Sequence, residues 1–199
     1  MPERFLNRTK KVSISQIDLK LFFKFYEEYI CSYTYNYILE DNTEIIVRFE
    51  KDNFPHILGL HKFRSIRDYK SSKKICEDIS KEKITFKELR LNEENIFNKN
   101  EELLDRLTFF PVLRTLLDNT ECALKYNLNA SFNTKIDFSF LLKSGKISII
   151  VYLAIKEIKG DKKICVPVSL LVDRKDRFLK MGLKELKIKN ITITKKKTV

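Results

Sequence analysis

The spacing of apolar residues along this 199-residue chain changes twice, and the order of the patterns narrows the folds open to it. Gln16 to Cys31 reads QIDLKLFFKFYEEYIC, with Ile17, Leu21, Phe25 and Tyr29 recurring every fourth residue and Ser15 available as an N-cap. That spacing predicts a helix with one buried stripe. Ser32 to Leu39 and Glu44 to Phe49 gather aromatic and β-branched residues around Glu40, Asp41, Asn42 and Thr43, a turn-like cluster, and predict a hairpin. From Ile57 to Leu117 the pattern is helical, in pieces around Ile57 to Tyr69, Ser71 to Ile79, Phe86 to Phe97 and Lys99 to Leu117, with Pro111 placed to kink the last. From Glu121 onward, Cys122 to Tyr126, Ile136 to Leu142, Ile147 to Lys156, Ile164 to Val172 and Leu183 to Thr194 look extended, with Gly145 and the Gly160-Asp161 pair supplying turns. An early hairpin, a helical middle and a late meander point to an α+β fold, an antiparallel sheet with packed helices. How the hairpin joins the meander is left open by the pattern.

No repeat and no Gly, Ser or Pro-rich linker divides the chain, so a single domain over 1–199 is expected. Its parts are a helix and hairpin (15–49), a helical middle (54–117), antiparallel strands (121–194) and a basic tail (195–199). Apolar residues make up 43% of the chain and Gly and Pro number four each, which excludes disorder over most of the length and collagenous structure. The longest apolar stretch, Ile147 to Ile155, contains Ser148 and falls far short of the roughly 20 residues that cross a bilayer. The N-terminus has charge but no apolar core with a cleavage site, so a cytoplasmic protein with no membrane partner is expected. Cys31, Cys76, Cys122 and Cys165 form no CxxC pair, and read as reduced small hydrophobes rather than zinc or redox ligands.

The net charge of +12 is concentrated at the ends. Residues 180–199 hold seven lysines and one glutamate, and residues 1–20 hold five basic and two acidic side chains. Basic ends on a near-neutral body suit association with a polyanion, with Lys195, Lys196 and Lys197 as candidate phosphate contacts. Solubility is the plain alternative. An anionic membrane surface fits less well, because the basic segments form no strong amphipathic helix.

The two histidines, His56 and His61, both fall in the string FPHILGLHK, Phe54 to Lys62. Pro55 is well placed to start a helix and Gly59 removes bulk from its first turn. In a regular helix the two imidazoles would point about 140° apart and could not chelate one metal. With His56 in the turn before the helix, both rings can line one cleft. Two imidazoles and a lysine suit metal-free transfer at phosphorus, which needs a base for the RNA 2′-hydroxyl, an acid for the departing 5′-oxygen and a cation beside phosphorus. Histidine exchanges its proton near neutral pH. Lys62 is the first candidate cation, with Arg48, Arg64 and Arg67 close in sequence. Which histidine is base and which acid is open, and a helix-capping His56 with a packed His61 is the structural alternative.

The string NFPHILGLHKF, Asn53 to Phe63, preceded by EIIVRFE and followed by basic and aromatic residues, resembles the signature of a family of phage-associated nucleases. That family is the fourth phage branch of the barnase, EndoU, colicin and RelE-like superfamily. The specific likeness spans residues 33–70, while the later strands, including PVS at Pro167 to Ser169, agree in order and character. The resemblance implies a compact RNase-toxin fold of the BECR type, with helices on an antiparallel sheet of four or more strands. It also implies metal-independent cleavage of RNA, with an antitoxin or immunity protein as a candidate partner and no cofactor. Only His56, His61 and Lys62 carry over by motif.

Three further readings are narrower. Ser169 interrupts the apolar run VPVSLLV beside Pro167, which suggests an edge or bulge that aims a hydroxyl at a cleft as a candidate catalytic group; a hydrogen-bonded core serine is the alternative. Tyr33, Tyr35 and Tyr37 alternate on one strand face, so Tyr35 and its neighbours are a candidate base-stacking platform, or else sheet-core aromatics. Gly-rich phosphate loops, GxSxG elbows and HExxH helices are absent. The expectation is a toxin-type RNA endonuclease, with a nonenzymatic nucleic-acid-binding or phage-host interaction protein as the alternative from another class.

Overall fold

The structure, a computed structural model, describes residues 1–126, 137–147, 150–175 and 177–196. Helix α1 (Leu19–Tyr26) begins at Asp18, whose Oδ1 accepts the Leu21 N–H at 2.9 Å, rather than at Ser15. A carboxylate satisfies a free N–H and also complements the positive end of the helix, and Asp18 lies directly before the buried stripe. A π-helical turn, Glu27–Cys31, carries the helix to its expected end. Strands β1 (Tyr33–Leu39) and β2 (Glu44–Arg48) form the expected hairpin, with Tyr37 opposite Ile45 and a turn held by Asp41 Oδ1, which accepts the Thr43 N–H.

The helical middle comprises α2 (Phe54–Leu58), α3 (Arg64–Arg67), α4 (Ser72–Ser80), α5 (Phe86–Asn92), α6 (Glu94–Lys99), α7 (Glu101–Phe109) and α8 (Leu113–Asp118). The expected helix over Ile57 to Tyr69 is broken at Gly59, and the one over Lys99 to Leu117 is broken at both Asn100 and Phe110–Val112. Pro111 sits in that second break as a 3-10 turn, because proline has no N–H to continue the ladder of α7. Strands β3 (Cys122–Lys125), β4 (Phe140–Lys143), β5 (Val151–Ile158) and β6 (Asp161–Val172), helix α9 (Arg177–Lys180) and strand β7 (Lys184–Lys195) complete the described chain. Lys195 thus closes β7 rather than opening a tail. Ile136, Ser148 and Ile149, within two of the expected strands, lie outside the described residues.

The seven strands close into a barrel in the order β1-β2-β6-β5-β4-β3-β7. The expected antiparallel sheet is therefore corrected to a mixed one. The β2 and β6 strands run parallel, with Ile46 opposite Ile164 and Val47 opposite Cys165, while the other pairings are antiparallel. Length makes the closure possible. Both β6 and β7 have 12 residues, and β7 pairs with β3 through Lys184–Lys187 and with β1 through residues 188–195. Hairpin and meander thereby cover each other's open edges, which would otherwise present unpaired backbone groups.

Inward residues such as Tyr37, Val47, Leu142 and Leu153 share one apolar cluster with Phe22, Phe54, Phe110 and Leu113 from the helices. A second cluster, built on Tyr152, Ala154, Leu171 and Phe178, lies on the other face of β5 and β6. Burial on both faces explains why the chain around β5 reads as an unbroken apolar run instead of alternating. The four cysteines are free. Burial pushes the Cys122 thiol up to about 11 and those of Cys76 and Cys165 up to about 12, so these three are inert packing groups.

Phe110 joins the helices, with ring contacts to Phe22, Phe25, Tyr26 and Phe54 at 5.4–6.4 Å. Phe110→Ala is expected to lower the unfolding free energy by about 3–5 kcal/mol in urea titration. A loss below about 1 kcal/mol would show that the ring is not central to the core.

Candidate active site

Helix α2 holds Phe54, Pro55, Ile57 and Leu58 buried and leaves His56 exposed. Gly59, at φ 72° and ψ 25°, then ends the helix in the left-handed region, its N–H donating to the His56 carbonyl at 3.0 Å. The chain re-forms at once as a 3-10 turn, Leu60–Lys62. This reversal brings the His61 ring back beside that of His56, with centroids 5.8 Å apart and planes at 39°. The two rings do share one cleft, but the break that allows it falls after His56, not before it. Glycine is needed here twice over. Its conformation is one that side chains rarely adopt, and a Cβ would sit 2.9 Å from Arg106 Nη1 and 3.3 Å from Leu103 Cδ1.

His56, His61, Lys62, Arg106 and Ser169 all line one cavity of about 890 Å³, whose far wall includes Val168, Phe178 and Met181. His56 Nε2 is 3.1 Å from Ser72 Oγ at the start of α4, and Lys62 Nζ donates to Asn100 Oδ1 at 3.3 Å. Two other cations on the lining are neutralised, Arg177 by Glu102 at 3.2 Å and Lys156 by Asp137. Lys62 and Arg106 form no ion pair among the described residues, so the cleft keeps a net positive end beside the imidazoles. Partial burial against the cleft wall holds the His61 imidazole below its ordinary value, reinforced by His56, Arg106 and Lys62. Burial likewise lowers Lys62, with Arg106 adding to the effect and Glu102 opposing it. Both side chains lose protons more readily than in water.

Ser169 reaches the cleft through a β-bulge. Ala154 faces Ser169 and Ile155 faces Pro167, so Val168 is the extra residue, and β6 bends there without being an edge strand. The serine is buried, with Oγ donating to the Leu170 carbonyl at 3.4 Å.

The other expected contacts are not in this cavity. Tyr35 is fully buried, its hydroxyl donating to the Tyr29 carbonyl at 3.3 Å, and Tyr37 is buried with its hydroxyl on the Leu117 carbonyl. Arg114 lies over the Tyr33 ring at 4.4 Å and over Tyr35 at 5.6 Å. This face of β1 is core, so it offers no platform to a base. Arg48 is exposed at the end of β2, and Arg67 is exposed on α3. Arg64 lines a neighbouring cavity of about 460 Å³ that shares Lys62 with the main one. Lys195 is exposed, Lys196 donates to the Phe49 carbonyl and lies 3.6 Å from Glu50, and Lys197 is outside the described residues. Ser72, Asn100 and Arg106 were not singled out by sequence. Only Arg106 left a legible sign there, a charge between Leu103, Leu107 and Phe110 on the apolar side of a helix.

Among the described residues no three His, Cys, Asp or Glu side chains gather as a metal site, and no helix is long and apolar enough to cross a membrane. An α+β barrel whose cleft joins two imidazoles to unpaired cations offers an anionic substrate both proton-transfer groups and positive charge. The chain belongs to the phage-Barnase-EndoU-ColicinE5/D-RelE like nuclease4 family, PBECR4, whose family model matches residues 18–198. That match runs from α1 through β7 and includes every residue on the cleft. No curated protein and no solved structure matches the chain.

Gly59→Ala is expected to destabilise the fold by about 1–2 kcal/mol, the ordinary cost of a left-handed alanine. Thermal and urea unfolding read this directly. A neutral or stabilising alanine would contradict the left-handed turn.

Proposed function

We propose that this nuclease is a metal-independent endoribonuclease of toxin type, cleaving RNA through its own 2′-hydroxyl. The observation that carries the reading is the pairing of His56 and His61 in one cavity, 5.8 Å apart, with Lys62 beside them. Both rings are exposed to solvent, as acid and base must be to reach a substrate. A purely structural role would instead favour a buried ring bonded to backbone.

His61 is the general base. Its depressed affinity for protons keeps it neutral at pH 7, ready to take the proton from the 2′-hydroxyl. The 2′-oxygen then attacks phosphorus, a bond forms between them, and the bond from phosphorus to the 5′-oxygen breaks. His56, oriented by Ser72, is the acid that protonates the departing 5′-oxygen. Lys62, steadied by Asn100, offsets the extra negative charge on the phosphoryl oxygens. The products are a 2′,3′-cyclic phosphate and a free 5′-hydroxyl, with every proton accounted for. Ser169 adds a hydroxyl at the edge of the same cavity. The exposed Arg48, Arg64, Arg67 and Lys195 widen the basic surface available to the RNA backbone. The toxin reading places this activity in the cytoplasm under control of an antitoxin or immunity protein, whose carboxylates would cover the cationic end of the cleft.

His56→Ala and His61→Ala should each slow cleavage of a defined RNA about 100-fold or more with circular dichroism unchanged. The sign of the pH dependence follows from His61. Because its affinity for protons is lowered, activity should persist as pH falls below the ordinary histidine value near 6.5 and be lost at a lower pH, when His61 is protonated. That acid limb should vanish in His61→Ala. Wild-type rates in both folded variants would exclude the assignment.

A further inference from the structure

Arg106 stands in α7 at 5% exposure, between Leu103 and Leu107, which are fully buried. Its Nε is buried without a hydrogen-bond partner, and no carboxylate lies within ion-pairing distance of its guanidinium among the described residues. Acidic neighbours exist on the same helix but are engaged elsewhere. Glu102, one turn earlier, holds Arg177 at 3.2 Å, and Asp105 is bound by both Nε and Nη2 of Arg174 at 2.9 and 2.5 Å. The segment leading into α9 therefore holds both carboxylates in ion pairs, and Glu102 reaches Arg106 only as a weaker attraction from beyond ion-pairing distance. A buried cation without an ion pair is costly to fold, and a ligand that supplies the charge lowers that cost.

The surroundings are shaped for such a ligand. Gly59 lets the backbone lie against Nη1 where a methyl group would sit at 2.9 Å. The guanidinium lines the same cavity as His56, His61 and Lys62. A planar fork with an unspent N–H, beside an ammonium, suits the paired oxygens of a phosphoryl group.

We propose that Arg106, with Lys62, forms a preformed site for a phosphate of the nucleic-acid backbone, and that Gly59, lacking a Cβ, leaves the space that positions it. This rests on the nuclease reading but not on RNA cleavage, since the site binds phosphate whether or not the bond breaks.

Thermal unfolding with and without inorganic phosphate, against chloride at matched ionic strength, tests the site in the intact chain. Wild type should gain in melting temperature with phosphate. Arg106→Met should lose that gain and melt no lower than wild type without phosphate, because it removes an uncompensated charge. Arg106→Lys should keep part of the gain. The His56→Ala/His61→Ala double variant should keep it too, so a failure of the cleavage mechanism leaves this test intact. In a second arm, Arg106→Met should weaken binding of a short all-deoxy oligonucleotide about tenfold. No phosphate gain in wild type, or an Arg106→Met that unfolds or melts lower while retaining the gain, would overturn the proposal. Loss of the phosphate response with unchanged oligonucleotide affinity would assign the site to free phosphate and overturn its backbone role.

Discussion

The Gly59 backbone and the Arg106 guanidinium occupy space that no larger residue at position 59 would leave, and the cleft is organised around that contact. The left-handed turn reverses the chain between two histidines, so side chains five residues apart lie side by side instead of diverging around a helix. The same turn fixes Lys62, whose N–H donates to the Gly59 carbonyl at 3.1 Å. The two imidazoles and the lysine are thereby set by one backbone reversal held against one buried charge. The aromatic layer of Phe22, Phe54 and Phe110 lies behind it and keeps α2 in place.

The barrel supplies the opposite wall. Closure between β1 and β7, and the parallel contact of β2 with β6, hold β6 rigidly enough for its bulge at Val168 to deliver Ser169 to the cavity. Beyond β6 the chain is drawn across by two ion pairs to α7, and Asp173 accepts the Phe178 N–H at 2.9 Å. Those contacts complete the cleft and also leave Arg106 without an ion pair among the described residues. Fold and electrostatics are coupled through one short segment.

What the sequence made legible follows from the range of each interaction. The first helix repeats at a spacing of about four residues and the hairpin at about two, while the late strands stand out by their apolar and β-branched content, and each was readable within its own segment. The FPHILGLHK string was readable because scarce imidazoles and a glycine concentrate in it. The parallel pairing of Ile46 with Ile164 and Val47 with Cys165 was not, since a match between strand edges over 100 residues apart leaves no local pattern. Alternation at Tyr33, Tyr35 and Tyr37 correctly marks a strand with one distinct face, but it reads alike whether that face meets a base or a core. Burial decided the matter for Tyr35 and Tyr37. Arg106 was visible only as a misplaced charge on an apolar helix face, a sign that gains meaning once Glu102 and Asp105 are seen to be engaged by others.

In the proposed function two imidazoles and a lysine act on an RNA phosphate through the substrate's own 2′-hydroxyl. A defined RNA carrying a single 2′-deoxy substitution at the cut site tests it most directly, with chelator present and fragment ends identified by mass. The deoxy substrate should bind as well as its parent and stay intact, while the parent yields a 2′,3′-cyclic phosphate, or its opened product, and a 5′-hydroxyl. Cleavage of the deoxy substrate, or a strict need for a divalent metal, would contradict the account.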